Sequence, residues 1–183
     1  MKIRVIAGTY GGRFLKAPDT TRTHPMGERM RGAMFNSLGD MSGKKVLDAF
    51  AGTGAIGLEA LSRGAKHATF VEKDRVAQDI ITKNVDALGV EAQTEVVKTT
   101  VSSWLSTAVI SQFDLIIADP PYHDLQLSTV ARLVPYLKPK GLMILSHPGR
   151  ESAPTVNGVV VVDKRSYGDA ALAFYQMLDE IKE

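Results

Sequence analysis

The sequence predicts an α/β domain with a mostly parallel sheet, an antiparallel strand pair at its C-terminal edge, and a short hairpin and helix at its N-terminal end. Strand-length apolar runs alternate with helix-length segments between residues 45 and 147, which is typical of a parallel sheet covered on both faces. Two more apolar runs follow with no helix between them, so we expect them to pair in the antiparallel direction.

Each element is assigned from its own run of residues. The N-terminal hairpin joins IRVIAG and RFLKAP through TYGG, and the helix after Pro25 is MGERMRGAMFNSL, whose methionines we interpret as core residues. The parallel strands are KVLDAF (45–50), ATFVE (68–72), TEVVK (94–98), FDLIIAD (113–119) and GLMILSH (141–147). The helices between them are GAIGLEALSRG, RVAQDIITKNVDALG, SSWLSTAVIS and LQLSTVARLVPYL. The antiparallel pair is GVVVVDKR (158–165) and AALAFYQML (170–178).

Composition narrows the class of protein. A chain of 183 residues that is 44% apolar fits one globular domain with a real core. The absence of cysteine excludes disulfides and thiolate metal sites and favours an intracellular location. No signal peptide or apolar run of membrane-spanning length is present, so we expect a cytoplasmic protein without membrane contact. The histidines do not have the spacing of metal ligands, so we expect no metal site. We also expect the protein to be a monomer.

Positive charge is concentrated in the N-terminal part of the chain. Residues 1–31 carry seven basic and two acidic side chains, a net charge of +5, whereas the whole chain carries only +2. The remainder is therefore mildly acidic. This asymmetry favours an anionic partner that contacts the N-terminal part, although a solvated face with scattered arginines would give the same pattern.

A glycine-rich loop follows the first parallel strand. In DAFAGTGAIG (48–57), Gly52, Gly54 and Gly57 have the G-x-G-x-x-G spacing, which places backbone N–H groups at a helix N-terminus where an anion binds. The anion could be the pyrophosphate of NAD or the carboxylate of S-adenosylmethionine. Glu72 ends the second strand, where it would accept hydrogen bonds from the ribose of either molecule. The loop alone therefore leaves the cofactor open.

The tetrapeptide Asp119-Pro120-Pro121-Tyr122 favours S-adenosylmethionine over NAD as the cofactor. It follows the fourth parallel strand, near the switch point of the sheet, and should face the glycine loop. The prolines stiffen the backbone and remove N–H donors, so a carboxylate and a carbonyl can accept both hydrogens of an exocyclic amino group. The tyrosine ring can stack on a flipped base. A merely rigid turn is the alternative, but a dehydrogenase has no use for this arrangement.

DAFAGTGAIGLEALSRGA together with DPPY resembles the Rossmann-like class I, S-adenosylmethionine-dependent amino methyltransferases. Within that class the chain is similar to the RsmD-type family, which methylates a guanine N2 of small-subunit ribosomal RNA. RVIAGTYGGRFLKAP resembles the family's N-terminal hairpin, ERMRGAMFNSL its arginine-containing helix, and YGDAALAFY its closing segment. The resemblance implies an RNA-facing extension over 1–40, a methyltransferase domain over 41–183, and ribosomal RNA or the assembled small subunit as partner.

The resemblance and the motifs together assign three groups of residues. The catalytic group is Asp119, Pro120, Pro121 and Tyr122. The cofactor-binding group is Asp48, Phe50, Ala51, Gly52, Thr53, Gly54, Gly57, Glu72, Lys73, Thr100 and Asp119. The RNA-binding group is Arg4, Arg13, Lys16, Arg22, Arg29 and Arg31. The implied reaction is a direct in-line transfer in which hydrogen bonds to Asp119 and the Pro120 carbonyl expose the lone pair of the acceptor amine.

Some positions depart from the family pattern. His24-Pro25-Met26 stands where the family usually has Arg-Pro-Thr, Gly32 replaces an acidic residue, and Thr100 replaces the usual Asp or Asn toward adenine. The departures at residues 24–32 leave the exact RNA target open. With Thr100 in place of the acid or amide, we expect recognition of the cofactor's adenine to rely more on backbone groups and packing.

Other functions stay open as well. An adenine-N6 methyltransferase of DNA or RNA shares both motifs but normally carries a larger recognition region. A protein-glutamine methyltransferase more often has Asn before the prolines. A non-catalytic RNA-binding module with a relic cofactor site would be expected to have lost the loop glycines or the acid, and both are present.

Overall fold

A computed structural model describes residues 2–19 and 26–178 of the chain. Nine strands and five α-helices occupy these ranges. In chain order they are β1 (Ile3–Arg4), β2 (Phe14–Leu15), α1 (Glu28–Leu38), β3 (Lys45–Asp48), α2 (Ala55–Ser62), β4 (His67–Val71), α3 (Arg75–Leu88), β5 (Thr94–Val97), α4 (Val101–Thr107), β6 (Phe113–Ala118), α5 (Leu127–Leu133), β7 (Leu137–Pro148), β8 (Val159–Tyr167) and β9 (Ala170–Met177). Within the described ranges, none of these helices has the length and apolar character needed to cross a membrane.

The main sheet has seven strands in the order β5-β4-β3-β6-β7-β9-β8. Strands β3 to β7 pair in parallel, whereas β9 is antiparallel to both β7 and the edge strand β8. The predicted fold class is therefore confirmed, including the antiparallel edge pair. Strand order reverses at β3, which lies between β4 and β6, so the carboxyl ends of β3 and β6 form the crevice where such sheets bind ligands.

The segment between α5 and β7 differs from the expectation of one helix over LQLSTVARLVPYL. The α-helix ends at Leu133, a 3-10 turn covers Val134–Tyr136, and β7 begins at Leu137. Pro135 is the physical reason, because proline has no backbone N–H and cannot continue the α-helical hydrogen-bond ladder. The strand is consequently four residues longer at its start than the apolar run 141–147 indicated.

Two apolar clusters cover the two faces of the sheet. One contains side chains of the hairpin, α1, α2 and α3, and the other contains side chains of α4, α5 and the β7–β9 region. Met30 and Met34 of α1 are buried in the first cluster, so the interpretation of these methionines as core residues is confirmed. Because the hairpin and α1 share this cluster with α2 and α3, the N-terminal extension packs directly on the main sheet domain.

A buried ion cluster, which we call the Glu59 cluster, fastens the hairpin to α2. It consists of Glu59, Arg31 and Arg63. The Glu59 carboxylate accepts hydrogen bonds from the backbone N–H groups of Ile6 (2.8 Å) and Ala7 (3.1 Å) and from Arg63 Nε (2.8 Å). Arg31 Nε lies 3.9 Å from the same carboxylate. The hairpin is thus held through its backbone by a charge on another element.

The placement of Arg31 corrects one prediction. Its guanidinium is 1% exposed and donates to the carbonyl oxygens of Met26 and Arg4. Burial lowers the pKa of Arg31, and the Glu59 carboxylate opposes that shift. A side chain enclosed in this way cannot reach an RNA phosphate, so the predicted RNA contact of Arg31 is wrong. Its positive charge serves the attachment of the hairpin instead.

Candidate active site

A cleft of about 810 Å³ lies at the carboxyl ends of β3, β4, β6 and β7. The glycine loop and the Asp119 tetrapeptide both line this cleft. Its walls include Phe50, Ala51, Gly52 and Thr53 from the glycine loop, Glu72, Lys73 and Asp74 after β4, Thr99 and Thr100 before α4, and Asp119, Pro120, Pro121, Tyr122 and His123 after β6. The structure therefore brings together the predicted catalytic residues and most of the predicted cofactor-binding residues.

The glycine loop owes its shape to two residues with positive φ. Gly52 has φ 54° and Gly54 has φ 80°, a region that side-chain-bearing residues rarely adopt. Gly54 is the N-cap of α2, so the loop delivers the N-terminal N–H groups of this helix to the edge of the cleft. The Gly52 N–H donates to Glu72 Oε2 at 2.7 Å, which ties the loop to the end of β4.

Gly57 and Asp48 lie beneath the cleft and do not line it. A Cβ atom on Gly57 would overlap Cε1 of Phe70, so this glycine is required for close packing of α2 on β4. Its predicted role in direct cofactor binding is therefore wrong. Its N–H donates to Asp48 Oδ2 at 3.1 Å, while Asp48 Oδ1 is buried without a hydrogen-bond partner in the described residues. Burial raises the pKa of Asp48 well above its ordinary value.

Glu72 and Thr100 already hold local backbone groups in the structure. Glu72 accepts from Gly52 and, at 2.8 Å, from the N–H of Asp74, which shapes the turn after β4. Each oxygen retains a further lone pair that can accept from a ligand. The Thr100 side chain accepts from the Ser103 N–H at 3.0 Å and caps α4, so its hydroxyl lies at the cleft as part of a helix N-cap.

Asp119 follows the last residue of β6 and is only partly accessible from the cleft. Burial raises the pKa of its carboxyl to about 6, and the hydroxyl of Ser146 opposes that rise. Pro120 is buried, whereas Tyr122 is 39% exposed and presents its ring to the cleft. The Tyr122 hydroxyl lies 2.6 Å from Ser146 Oγ.

Sequence reasoning missed several cleft residues, and Ser146 is the most consequential. It is 1% exposed at the end of the apolar run of β7. Ala118 of β6 pairs with Leu145 of β7, so the next residues, Asp119 and Ser146, end their strands side by side. A polar residue directly after the apolar run GLMIL, near the carboxyl end of its strand, is the signal that could have found it. The cleft also includes Met26 and Met30, which belong to the core cluster at the same time.

The predicted RNA-binding side chains other than Arg31 have different surroundings. Arg4 is paired with Glu28 at 3.0 Å on the surface, and Arg13 donates to the carbonyl of Ala87 at 2.6 Å. Lys16 and Arg29 are exposed. Arg22 lies outside the described residues, as does His24. Of the departures from the family pattern, Gly32 faces Ile6, whose Cδ1 would lie 3.3 Å from an added Cβ.

The described residues hold no group of three or more His, Asp or Glu side chains arranged to bind a metal ion. His67 and His147 are both shifted to a lower pKa by burial. Neither lines the cleft.

Comparisons with known proteins show the family to which the chain belongs. The family model described as conserved hypothetical protein 95 matches residues 3–176. The chain belongs to this family. A Bacillus subtilis member named "Putative rRNA methyltransferase YlbH" is 33% identical over 95% of this chain and 98% of its own length. The Haemophilus influenzae "Ribosomal RNA small subunit methyltransferase D" is 30% identical over 96% of this chain and 94% of its own length.

A solved structure of another member extends the agreement to three dimensions. The structure titled "Putative methyltransferase yhhF from Escherichia coli" is 31% identical, covers 97% of this chain and 98% of its own, and has a TM-score of 0.86. The resemblance of the present chain to the RsmD-type family is thereby confirmed in both sequence and fold.

Proposed function

We propose that this chain transfers a methyl group from S-adenosylmethionine to an exocyclic amino group of RNA, namely a guanine N2 of small-subunit ribosomal RNA. The observation that carries the proposal is the single cleft shared by the glycine loop and Asp119-Pro120-Pro121-Tyr122. The names of the relatives support RNA of the small ribosomal subunit as the substrate. The choice of guanine N2 rests on the RsmD-type resemblance.

The residues at the glycine-loop side of the cleft fit S-adenosylmethionine. Asp48 supports the loop from beneath by accepting a hydrogen bond from the Gly57 N–H, and it does not itself line the cleft. Glu72 has lone pairs left for the ribose hydroxyls, and the N-terminus of α2 suits the carboxylate of the methionyl group. When bound, S-adenosylmethionine supplies an electrophilic methyl group.

Asp119 and the Pro120 carbonyl prepare the acceptor nitrogen. An exocyclic amine is a poor nucleophile because its lone pair is delocalised into the ring. Two hydrogen bonds donated by the amine to Asp119 and to the Pro120 carbonyl favour a pyramidal nitrogen with an exposed lone pair. The carboxylate form is the better acceptor, and with a pKa of about 6 it predominates at neutral pH. The methylated nitrogen then loses its extra proton readily, so Asp119 is not required as a strong base.

Tyr122 offers the platform on which the target base would stack. Its ring is partly exposed at the cleft and its hydroxyl is fixed by Ser146, so the orientation of the ring is restrained before any substrate binds. Stacking on an aromatic face contributes about 1–3 kcal/mol per base. Because Tyr122 and Asp119 line the same cleft, we expect a flipped base held against this ring to have its exocyclic amine within reach of Asp119.

The decisive experiment is methyl transfer by the purified chain. Small ribosomal subunits from cells that lack the gene, and naked RNA extracted from them, are incubated with radiolabelled S-adenosylmethionine, and the modified nucleoside is identified by mass spectrometry. We expect N2-methylguanosine. N6-methyladenosine would replace the proposal by the adenine-N6 alternative, and no transfer by a chain that binds RNA would support a non-catalytic module.

Calorimetry tests the cofactor independently of RNA. We expect S-adenosylmethionine to bind and NAD not to bind, because the glycine loop shares its cleft with the Asp119 tetrapeptide, for which a dehydrogenase has no use. Binding of NAD without any response to S-adenosylmethionine would contradict the proposed function at its first step.

A further inference from the structure

Phe14 is an aromatic side chain of the N-terminal hairpin that belongs to neither apolar cluster. It is 64% exposed. Among the large apolar side chains that are exposed in residues 2–19 and 26–178, the only other aromatic one is Tyr122, which lines the cleft. A single exposed apolar residue is ordinary on a protein surface, so the chemistry around the ring decides whether it has a role.

The register of the hairpin gives it a buried face and an exposed face. Ile3 of β1 pairs with Leu15 of β2, and both side chains are buried in the core. Arg4 pairs with Phe14, and both are exposed, because successive side chains of a strand point to opposite faces. The ring of Phe14 therefore lies directly across the hairpin from a guanidinium, on the face that is turned to solvent.

Three cations share this outer face with Phe14. The same alternation places Lys2 on the face of Arg4 and Lys16 on the face of Phe14, and both lysines are exposed. Lys2 Nζ lies over the ring, 5.5 Å from its centroid. Arg4 is paired with Glu28, whereas neither lysine takes part in an ion pair within the described part of the chain. Exposed rings among cations bind single-stranded nucleic acid, because a base stacks on the ring while the cations contact phosphates.

The outer face of the hairpin is fastened close to the cleft. Asn84 of α3 accepts from the Lys16 N–H at 2.7 Å and donates to the carbonyl oxygens of Lys16 and Thr53, each at 3.0 Å. Thr53 belongs to the glycine loop, so one side chain joins the end of β2 to the cleft wall. Pro18 also lines the cleft and follows Phe14 by four positions, which limits the distance between their Cα atoms to about 14 Å. A base on Phe14 would therefore be a near neighbour of a base in the cleft.

We infer that Phe14 is a stacking platform for an unpaired RNA base that flanks the target nucleotide, with Lys2 and Lys16 contacting the adjacent phosphates. The inference rests on the proposed function for RNA as the partner. It adds that the RNA is held at two unpaired bases, the target on Tyr122 and a flanking base on Phe14. Bases inside a duplex are already stacked on each other, so this surface selects a loop, a bulge or a strand end.

Equilibrium binding of two RNA probes tests the platform without any turnover. The probes are a single-stranded oligonucleotide of mixed sequence and the same oligonucleotide annealed to its complement. Phe14→Ala should weaken binding of the single strand about 5- to 150-fold, the contribution of one stacked base, and leave the affinity for the duplex unchanged. Phe14→Trp should retain the affinity for the single strand. Its fluorescence should be quenched by the single strand more than that of the wild-type chain, whose one tryptophan is Trp104.

Two controls separate stacking from charge and from the loss of any exposed apolar side chain. Leu178→Ala removes a side chain that is also 64% exposed but follows β9, at the edge of the sheet opposite the cleft, and it should change neither affinity. Lys2→Gln should weaken binding of both probes and make the dependence on log salt shallower by about one unit. Phe14→Ala should leave that slope unchanged, because the ring contacts no phosphate.

Because Phe14 is exposed, its variants should fold like the wild-type chain, and each outcome bears on the platform itself. Lower affinity of Phe14→Ala for the single strand, with duplex affinity and salt slope unchanged, supports the inference. Equal single-strand affinities of Phe14→Ala and Leu178→Ala overturn it. A loss seen only with assembled small subunits also overturns it and assigns Phe14 to a protein contact. If the single-strand loss is found in a chain that transfers no methyl group, the proposed function fails and the platform stands.

Discussion

Two sites in this molecule contain buried carboxyl groups, and they differ in how far neighbouring donors and cations compensate the charge. In the Glu59 cluster the carboxylate is 0% exposed and receives two backbone N–H groups and one guanidinium, with a second guanidinium nearby. Beneath the cleft, Asp48 is equally buried but has one oxygen without a partner in the described residues, and at the cleft the pKa of Asp119 is raised to about 6. Compensated charge fixes the hairpin, whereas carboxyl groups without full compensation lie at and beneath the cleft where we propose that the ligand binds.

The largest expected effect on stability follows from removing the negative charge of the Glu59 cluster. Glu59→Gln should lower the free energy of unfolding by about 3–5 kcal/mol, because it leaves Arg31 buried without its counter-charge. The measurement is urea unfolding at neutral pH. Glu28→Gln is the matched control, since the Arg4–Glu28 pair is exposed and should cost at most about 1 kcal/mol. Equal losses in the free energy of unfolding would show that the buried cluster contributes no more to stability than the exposed pair.

At the cleft, removal of a carboxyl group should lower the rate of methyl transfer without lowering the stability of the fold. Asp119→Ala should reduce methyl transfer by about 10²–10³-fold while S-adenosylmethionine affinity stays near normal, since the lost acceptor contacts the amine and not the donor. Single-turnover assays with saturating cofactor, together with calorimetry, give both numbers. Near-normal turnover would mean that Asp119 has been assigned the wrong role.

The pH dependence of stability sharpens the contrast. The folded pKa of Asp119, about 6, lies above the ordinary value of 3.8, so the folded state binds the proton more tightly and stability falls as pH rises through this interval. Asp119→Asn should therefore stabilise the fold by about 1–3 kcal/mol at pH 8, and the gain should vanish near pH 3. Thermal unfolding across this range tests the sign. A destabilised variant at pH 8 would contradict the raised pKa.

A smaller effect separates the glycines of the loop. Gly57→Ala should destabilise the fold by about 1–3 kcal/mol, because its Cβ would overlap Phe70, with cofactor affinity unchanged in the folded protein. A second substitution, Phe70→Leu, should recover part of the loss. If Gly57→Ala instead weakened S-adenosylmethionine binding at unchanged stability, the assignment of Gly57 to packing would be wrong.

The smallest effect concerns the exposed N-terminal cations. Replacing Arg13 and Lys16 together by glutamine should weaken RNA binding and make its dependence on log salt shallower by about one to two units, since each phosphate contact releases counterions. Affinities at several salt concentrations provide the slope, with cofactor titrations in parallel. Lys164 and Arg165 on the edge strand β8 supply a control pair. An unchanged slope would show that this charge is only a solvated face.

The sequence alone predicted the sheet and the cleft because both depend on local patterns. Alternating apolar runs define parallel strands, and the carboxyl ends of adjacent parallel strands must lie together, so the glycine loop and Asp119 were bound to meet. The boundary of α5 was missed although Pro135 was visible. The apolar spacing of a helix continues past Pro135, but proline lacks the backbone N–H that the α-helix needs, so the helix ends before it.

Three site assignments could not be read from local pattern, each for a tertiary reason. The charge of Arg31 is visible in the sequence, but its burial depends on Glu59, 28 positions away. The need for glycine at position 57 depends on where the ring of Phe70 lies across the sheet. The contact of Ser146 with Tyr122 depends on the β6–β7 register, which the motifs do not specify.

The anchoring of the hairpin has a consequence for the order of events during synthesis. Strands β1 and β2 have two residues each and cannot persist alone, and their partners Glu59 and Asn84 lie 53 and 68 positions further on, measured from Ile6 and Lys16. At a translation rate of roughly 5–20 residues per second, that interval lasts about 3–14 seconds. The basic segment thus leaves the ribosome several seconds before the residues that fasten it, and a nascent chain at this stage displays its cations before it has a cleft.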